Sequence, residues 1–337
     1  MNSLVLKCRI ARTAAVVLSL CCSVAPALAQ TLKDPALEAL YVAERHEELQ
    51  RQASQRLAAQ PDDAQAVLAL TLAALERDDR AARTQALARA EACVQSQPRA
   101  AACHYAHGVL LGLTAASEGM MKMARSAGTV KEALTTAHEL DPAWYPARSA
   151  LIEFHTLAPG VMGGSSSKAA ELAKSAPRPE QVNALTARLA LADKRFDAAV
   201  QAFNKLPSPL EPALAADVRS WGTQAGLGAV NAGQLAGAQG FFERLLREQP
   251  GQAAGAYGLA RVRGEQSDWA EALRLYTRAL ELKGAADWPL LYRMGIAQQQ
   301  LGQTDAAKAS YTRFIAAGKG QKSSLADAQK RLEQLGS

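Results

Sequence analysis

Residues able to bind metal or exchange electrons gather in one stretch: Cys93, Cys103, His104 and His107, then Met120, Met121 and Met123. Thiolate and imidazole ligands suit zinc or copper, and thioethers suit Cu(I). His104 and His107 are three apart, hence on one face of a helix. A closed site needs its ligands clustered, and neither a fourth ligand nor a His-Glu-x-x-His element is present. Packing by the imidazoles and gap filling by the methionines explain the same residues. A metal- or redox-linked binding protein built on Cys93, Cys103, His104, His107 and Met120–123 is therefore the alternative reading, and no metal or cofactor is expected. The cysteines carry a second chemistry. Each lies five residues from Pro98, so an antiparallel helix pair turning at that proline puts them at matching heights. A disulfide is favoured over two buried thiols, although spacing does not state side-chain direction.

Ser165, Ser166, Ser167 and Lys168 spell Ser-x-x-Lys, in which a lysine helps activate a serine for acyl transfer. The companion Ser-Asp-Asn and Lys-Thr-Gly elements are absent. Lys168 is followed by Ala169, which excludes a phosphate loop. A serine capping a helix, with Glu171 placed to answer it as in a capping box, explains the stretch. Histidines occur only at 46, 104, 107, 138 and 155, and none joins a serine or cysteine in a recognisable triad. No catalytic residue is assigned and the chain is read as a non-enzyme, with a Ser165–Lys168 acyl-enzyme as the remote alternative.

The elements that position these groups are announced by one pattern written three times over 233–314. Ala238, Ala272 and Ala307 recur at intervals of 34 and 35 residues, and Phe242, Tyr276 and Tyr311 follow each alanine by four. Small and aromatic residues one turn apart lie on a single helical face. A unit of this length, closed by proline, resembles the tetratricopeptide repeat (TPR). The resemblance implies an all-α fold: a right-handed α-solenoid of antiparallel helix pairs, each burying its face against its neighbours.

Residues 30–337 then form a single solenoid of about six to seven repeats, clearest at 219–316. Asp34-Pro35 opens a first helix running to Gln60-Pro61, either an N-terminal cap or an unpaired helix. Residues 112–128 exceed the family's length, extending both flanking helices or bulging out, and 157–168 form an unusual glycine-serine turn. Gly222, Gly226 and Gly228 in one helix each cost about 1 kcal/mol relative to alanine. Only close packing offsets that, and the helix is a candidate soft joint. Residues 324–335 read as an amphipathic capping helix.

Lys7, Arg9 and Arg12, the apolar run 14–22 and Ala27-Leu28-Ala29 have the order of an export signal cleaved after Ala29. Lipidation at Cys21 or Cys22 would need a small residue just before it, where Leu20 and Cys21 stand. The chain is thus expected in the periplasm, or secreted, without a transmembrane segment once cleaved. Cleavage removes three of 38 bases and none of 32 acids, leaving a net charge of +3. Bases and acids are interspersed, so no nucleic-acid partner is expected.

The family's first helices line a concave groove that holds peptides. Its groove positions fall here on Tyr105, Arg188, Asn231, Tyr257, Arg261 and Tyr292. The family's carboxylate clamp uses lysine and asparagine where this chain has Ala184, Arg188, Tyr257 and Arg261, so that clamp is absent. The resemblance implies a scaffold in the cell envelope that binds a protein or peptide partner in the groove.

Overall fold

The computed structural model describes residues 30–76 and 79–336; the export-signal reading of 1–29 lies outside them. Among the described residues there are seventeen α-helices and no strand. They succeed one another as helix pairs: α1 (Pro35–Val42) with α2 (His46–Ala59), α3 (Ala64–Leu75) with α4 (Arg80–Ser96), α5 (Ala101–Glu118) with α6 (Met120–Leu140), and α7 (Tyr145–Leu157) with α8 (Ser166–Lys174). The series continues through α9 (Pro179–Ala192) and α10 (Phe196–Asn204), α11 (Pro212–Asn231) and α12 (Leu235–Glu248), α13 (Ala253–Glu265) and α14 (Trp269–Leu280), and α15 (Leu290–Gln300) and α16 (Thr304–Ala317). The last helix is α17 (Lys322–Gln334). Each helix packs on the next, and first helices also touch first helices of adjoining pairs, as α11 does α9 and α13. This is the TPR-like all-α solenoid expected.

Local chemistry sets the helix starts. Asp34 accepts from the amides of Ala36 and Leu37 beside Pro35 at the first helical position. Asp63 and Asp79 cap α3 and α4 similarly. An aspartate there satisfies amides that the helix leaves without partners. The single opening helix expected over 35–60 is instead two. Glu44 adopts φ 54°, and the chain turns back so that Leu37 and Leu40 pack in one cluster with Leu49, Ala53 and Leu57. Burying both apolar faces offsets the break in helical hydrogen bonding.

Close approach of neighbouring helices falls where a side chain is missing. The fully buried ring of Phe242 on α12 sits between Gly226 of α11 and Gly258 of α13; a Cβ at those positions would stand 2.7 and 2.2 Å from ring carbons. Gly222 faces Phe241 and Gly228 faces Phe196, at 2.3 and 2.4 Å. Each glycine of α11 therefore has a packing reason, and the helix runs unbroken for 20 residues. The same device recurs at Gly295 against Tyr311, 2.5 Å.

The extra length at 112–128 lies in α5 and α6, of 18 and 21 residues, joined at Gly119 with φ 102°. In the glycine-serine turn, Gly163 has φ 90°, and a Cβ on Gly164 would stand 1.7 Å from the Ala158 carbonyl oxygen. Ser165 then caps α8 by accepting from the Lys168 amide, 3.3 Å. The capping box is not formed, because the third helical position is Lys168 and Glu171 lies a turn further on. At the other end α17 buries Ala328 against the cluster of Tyr292, Tyr311 and Phe314.

Candidate binding site

The superhelix curls until its first helix pair meets the loop that follows α14. Glu44, at the corner between α1 and α2, pairs with Lys283, 239 residues later, and accepts from Gln252 Nε2 at 3.3 Å. The hydrogen bond from Lys283 holds the Glu44 carboxyl below its usual range. Behind this clasp, Ala253 N donates to Lys283 O and Lys283 N to Gly251 O, tying the loop before α13 to the loop after α14.

The curl encloses a cavity of about 960 Å³, a size that takes a peptide segment or a small molecule. Tyr41 and Trp288 give it aromatic faces, Arg219 and Lys283 positive charge, and Glu44 and Glu76 negative charge. A second hollow of about 200 Å³ adjoins it, sharing Tyr41 and Ala216. Here α7 presents Tyr145 and Ser149, one turn apart, to Asp217 of α11. Tyr145 Oη donates to Asp217 Oδ2 at 2.7 Å and Ser149 Oγ to the same oxygen at 2.6 Å. Burial pushes the Asp217 carboxyl up to about 6, against the two hydroxyl hydrogen bonds that favour its ionised form.

The six expected groove residues are largely engaged within the chain. Arg188 is 6% exposed, bonds Glu153 through Nε and Nη2 at 3.3 and 3.1 Å, and lies over the Trp221 ring at 5.7 Å. Tyr257 is buried and stacked on Trp288 at 4.6 Å. Arg261 is buried and donates to Asn231 Oδ1 at 2.7 Å, which joins two of the six; Asn231 itself is exposed. Tyr292 donates to Asp327 Oδ2 at 2.8 Å and stacks on Phe314. Tyr105 lines the smaller hollow, edge-on to Trp144 at 5.0 Å. Long aromatic and arginine side chains on these inner faces reach the adjoining helix before they reach the open space.

The remaining candidate groups are dispersed. Cys93 and Cys103 are joined Sγ to Sγ, with Cα atoms 5.4 Å apart. His104 Nε2 lies 2.9 Å from the Pro98 carbonyl oxygen, and burial lowers the His107 imidazole below its usual value. Met120 and Met121 are exposed. Among the described residues no three of His, Cys, Asp and Glu come together as a metal site. Ser165 Oγ serves its helix cap and lies 3.0 Å from Ser167 Oγ.

Asp217, Tyr145, Ser149, Tyr41 and Trp288 went unassigned in the sequence reading. One signal was available: Asp217 is an acid one turn before Trp221, on the stripe of α11 that carries that buried tryptophan.

The tetratricopeptide repeat family model matches residues 290–317, which are α15 and α16. Among solved structures, the chain is similar to one in the APC/C hetero-tetramer Cut9–Hcn1, at 13% identity and a TM-score of 0.53. That match covers 89% of this chain and 49% of that chain, so this protein spans about half its length. It is similar also to the human IFIT1 dimer with PPP-AAAA, at 14% identity and a TM-score of 0.53, covering 89% of this chain and 70% of that one. Pseudomonas aeruginosa pilF is 18% identical, with 68% of this chain and 97% of that chain covered and a TM-score of 0.46. A search of curated proteins finds no match.

Proposed function

We propose that this chain, a solenoid carrying the tetratricopeptide repeat, is a scaffold in the cell envelope that holds a segment of a protein partner in its central cavity and performs no chemistry itself. The observation that carries this reading is the curl held by Glu44 and Lys283, which leaves about 960 Å³ of open, aromatic and mixed-charge space on the inner side. Aromatic and arginine side chains dominate binding energies at interfaces, and Tyr41, Trp288 and Arg219 line that space. The envelope location rests on the signal-like order of residues 1–29. No described helix is long and apolar enough to cross a membrane.

A photo-crosslinking residue placed at Arg219, inside the cavity, is compared with one at the exposed Arg274 on α14. Adducts with a discrete partner are expected from position 219 and not from 274, in cells fractionated to recover the periplasm. Adducts equal at both positions, or none at 219, would overturn the cavity assignment. Recovery of the chain uncleaved in the cytoplasmic fraction would overturn the location.

A further inference from the structure

We propose that the smaller hollow, between α1, α3, α5, α7 and α11, is a binding site for a primary ammonium group, carried by a free diamine or by a lysine side chain of a segment in the central cavity. The second source rests on the scaffold reading; the site itself does not.

The argument starts at Asp217. Both hydroxyl donors, Tyr145 and Ser149, bond its Oδ2, and Oδ1 accepts no hydrogen bond among the described residues. Among the described residues no cation is bonded to it. The nearest engaged one, Arg188, is committed to Glu153 and to the face of Trp221. A half-buried carboxylate held only by neutral donors is costly when ionised and gains most from a cation brought to it.

The walls suit that cation. Tyr41, Tyr105 and Tyr145 all line the hollow, and aromatic faces attract ammonium groups. Burial raises the pKa of all three phenols, Tyr41 to about 12, so they stay neutral. The Tyr41 phenol is further raised by Glu76, Asp217 and Glu38, against a smaller lowering by Arg219. Neither the Tyr41 nor the Tyr105 hydroxyl has a hydrogen-bond partner among the described residues. With Asp217 Oδ1 and the lone pairs of Tyr145 and Ser149, they offer acceptors for three N–H donors, as an ammonium has and a quaternary amine lacks. A bare divalent ion fits poorly, since it needs six or more oxygen ligands and the second carboxylate lining the hollow, Glu153, is paired with Arg188. The volume, about 200 Å³, admits an ammonium and a few methylenes, and the shared wall at Tyr41 and Ala216 lets the rest of the ligand lie in the larger cavity.

The test is calorimetric titration of the purified exported chain with cadaverine at pH 7.5, beside pentan-1-ol and Nα-acetyl-lysine amide. One saturable cadaverine site is expected, with no comparable heat from the alcohol. Binding of the lysine amide as well would point to a side-chain source, and cadaverine alone to a free diamine. Asp217→Asn should weaken cadaverine binding at least about tenfold. Lowering the pH from 7.5 to 5 on the unaltered protein should weaken it by about as much as Asp217 takes up a proton. Cadaverine stays doubly charged throughout that range, and Glu38, Glu76, Glu153, Arg188, Arg219 and the three tyrosines are the other ionisable groups acting on the site. The pH series needs no substitution, so it decides the matter even where Asp217→Asn fails to fold. Absence of cadaverine binding, equal binding by Asp217→Asn, or equal binding at pH 5 and 7.5 would each overturn the site. A protein that binds cadaverine but yields no crosslinked partner would leave the site standing and remove the scaffold.

Discussion

Gly258→Ala is expected to destabilise this solenoid although it places a better helix former inside a helix. The added Cβ would stand 2.2 Å from Cδ1 and Cε1 of Phe242 and 2.5 Å from Cγ, whereas ordinary contact begins at 3.4 Å. The ring must therefore move by about 1 Å, and dispersion wells are narrow on that scale. Phe242 is fully buried, and its far edge already lies against Gly226, where a Cβ would be 2.7 Å away. Retreat is blocked on that side. Overpacking of this kind costs about 1–3 kcal/mol, and the upper end applies where the neighbour is trapped. Removing a helical glycine returns about 1 kcal/mol, so the net loss is about 2 kcal/mol. Gly128 in α6 is the matched control: it is exposed, helical, and has nothing within 4 Å of a built Cβ. Gly128→Ala should gain about 1 kcal/mol. Followed by circular dichroism during heating, the midpoints should separate in opposite directions, at about 2–4 °C per kcal/mol. Equal or greater stability of Gly258→Ala than of the unaltered protein would refute the reasoning. So would a penalty that stays the same in a Phe242→Leu background, where the colliding ring atoms are gone.

Three further outcomes are expected. Titration of the protein under denaturing, non-reducing conditions should find no free thiol at Cys93 or Cys103; reduction should cost about 3 kcal/mol on the chain-entropy model for a loop spanning ten residues, and two free thiols at the outset would remove the bridge. Ser165→Ala should cost about 1 kcal/mol through the lost helix cap, while Glu171→Ala should leave stability unchanged; covalent labelling of Ser165 by a β-lactam would reverse that assignment. The Glu44 carboxyl is held below its ordinary 4.5 by Lys283, so the clasp is fully present above that pH and is lost as pH falls through the lowered folded value. Glu44→Gln should accordingly widen the molecule in small-angle scattering at pH 7 and abolish any further widening on acidification. An unchanged radius of gyration would show that the clasp does not hold the curl.

The helix-pair architecture was legible because its signal is local. Ala238, Ala272 and Ala307, each with an aromatic four residues on, place a small and a large residue on one face regardless of what lies elsewhere in the chain. Gly222, Gly226 and Gly228 were legible as points of close packing, because nothing else offsets their cost in a helix. The break at Glu44 was not, because no glycine marks it and the return of α1 is driven by apolar burial against α2. A serine cap on this helix followed from the sequence, yet the reciprocal arm at Glu171 failed, because the position three before it is Lys168 and not a serine.

What the sequence determined by itself is the repeating unit: helix lengths, small-aromatic pairing and the glycines that let helices approach closely, all set by side-chain volume at a spacing of a few residues. What only the tertiary structure decided is which distant residues meet. Tyr145 and Ser149 reach Asp217 across 72 and 68 positions, and Glu44 reaches Lys283 across 239. Those meetings depend on the small rotation between successive pairs, summed along the solenoid until the α1–α2 corner reaches the loop after α14. The same rotation turned Arg188, Tyr257 and Arg261 onto their neighbours and left Asp217, inconspicuous in the sequence, facing a cavity.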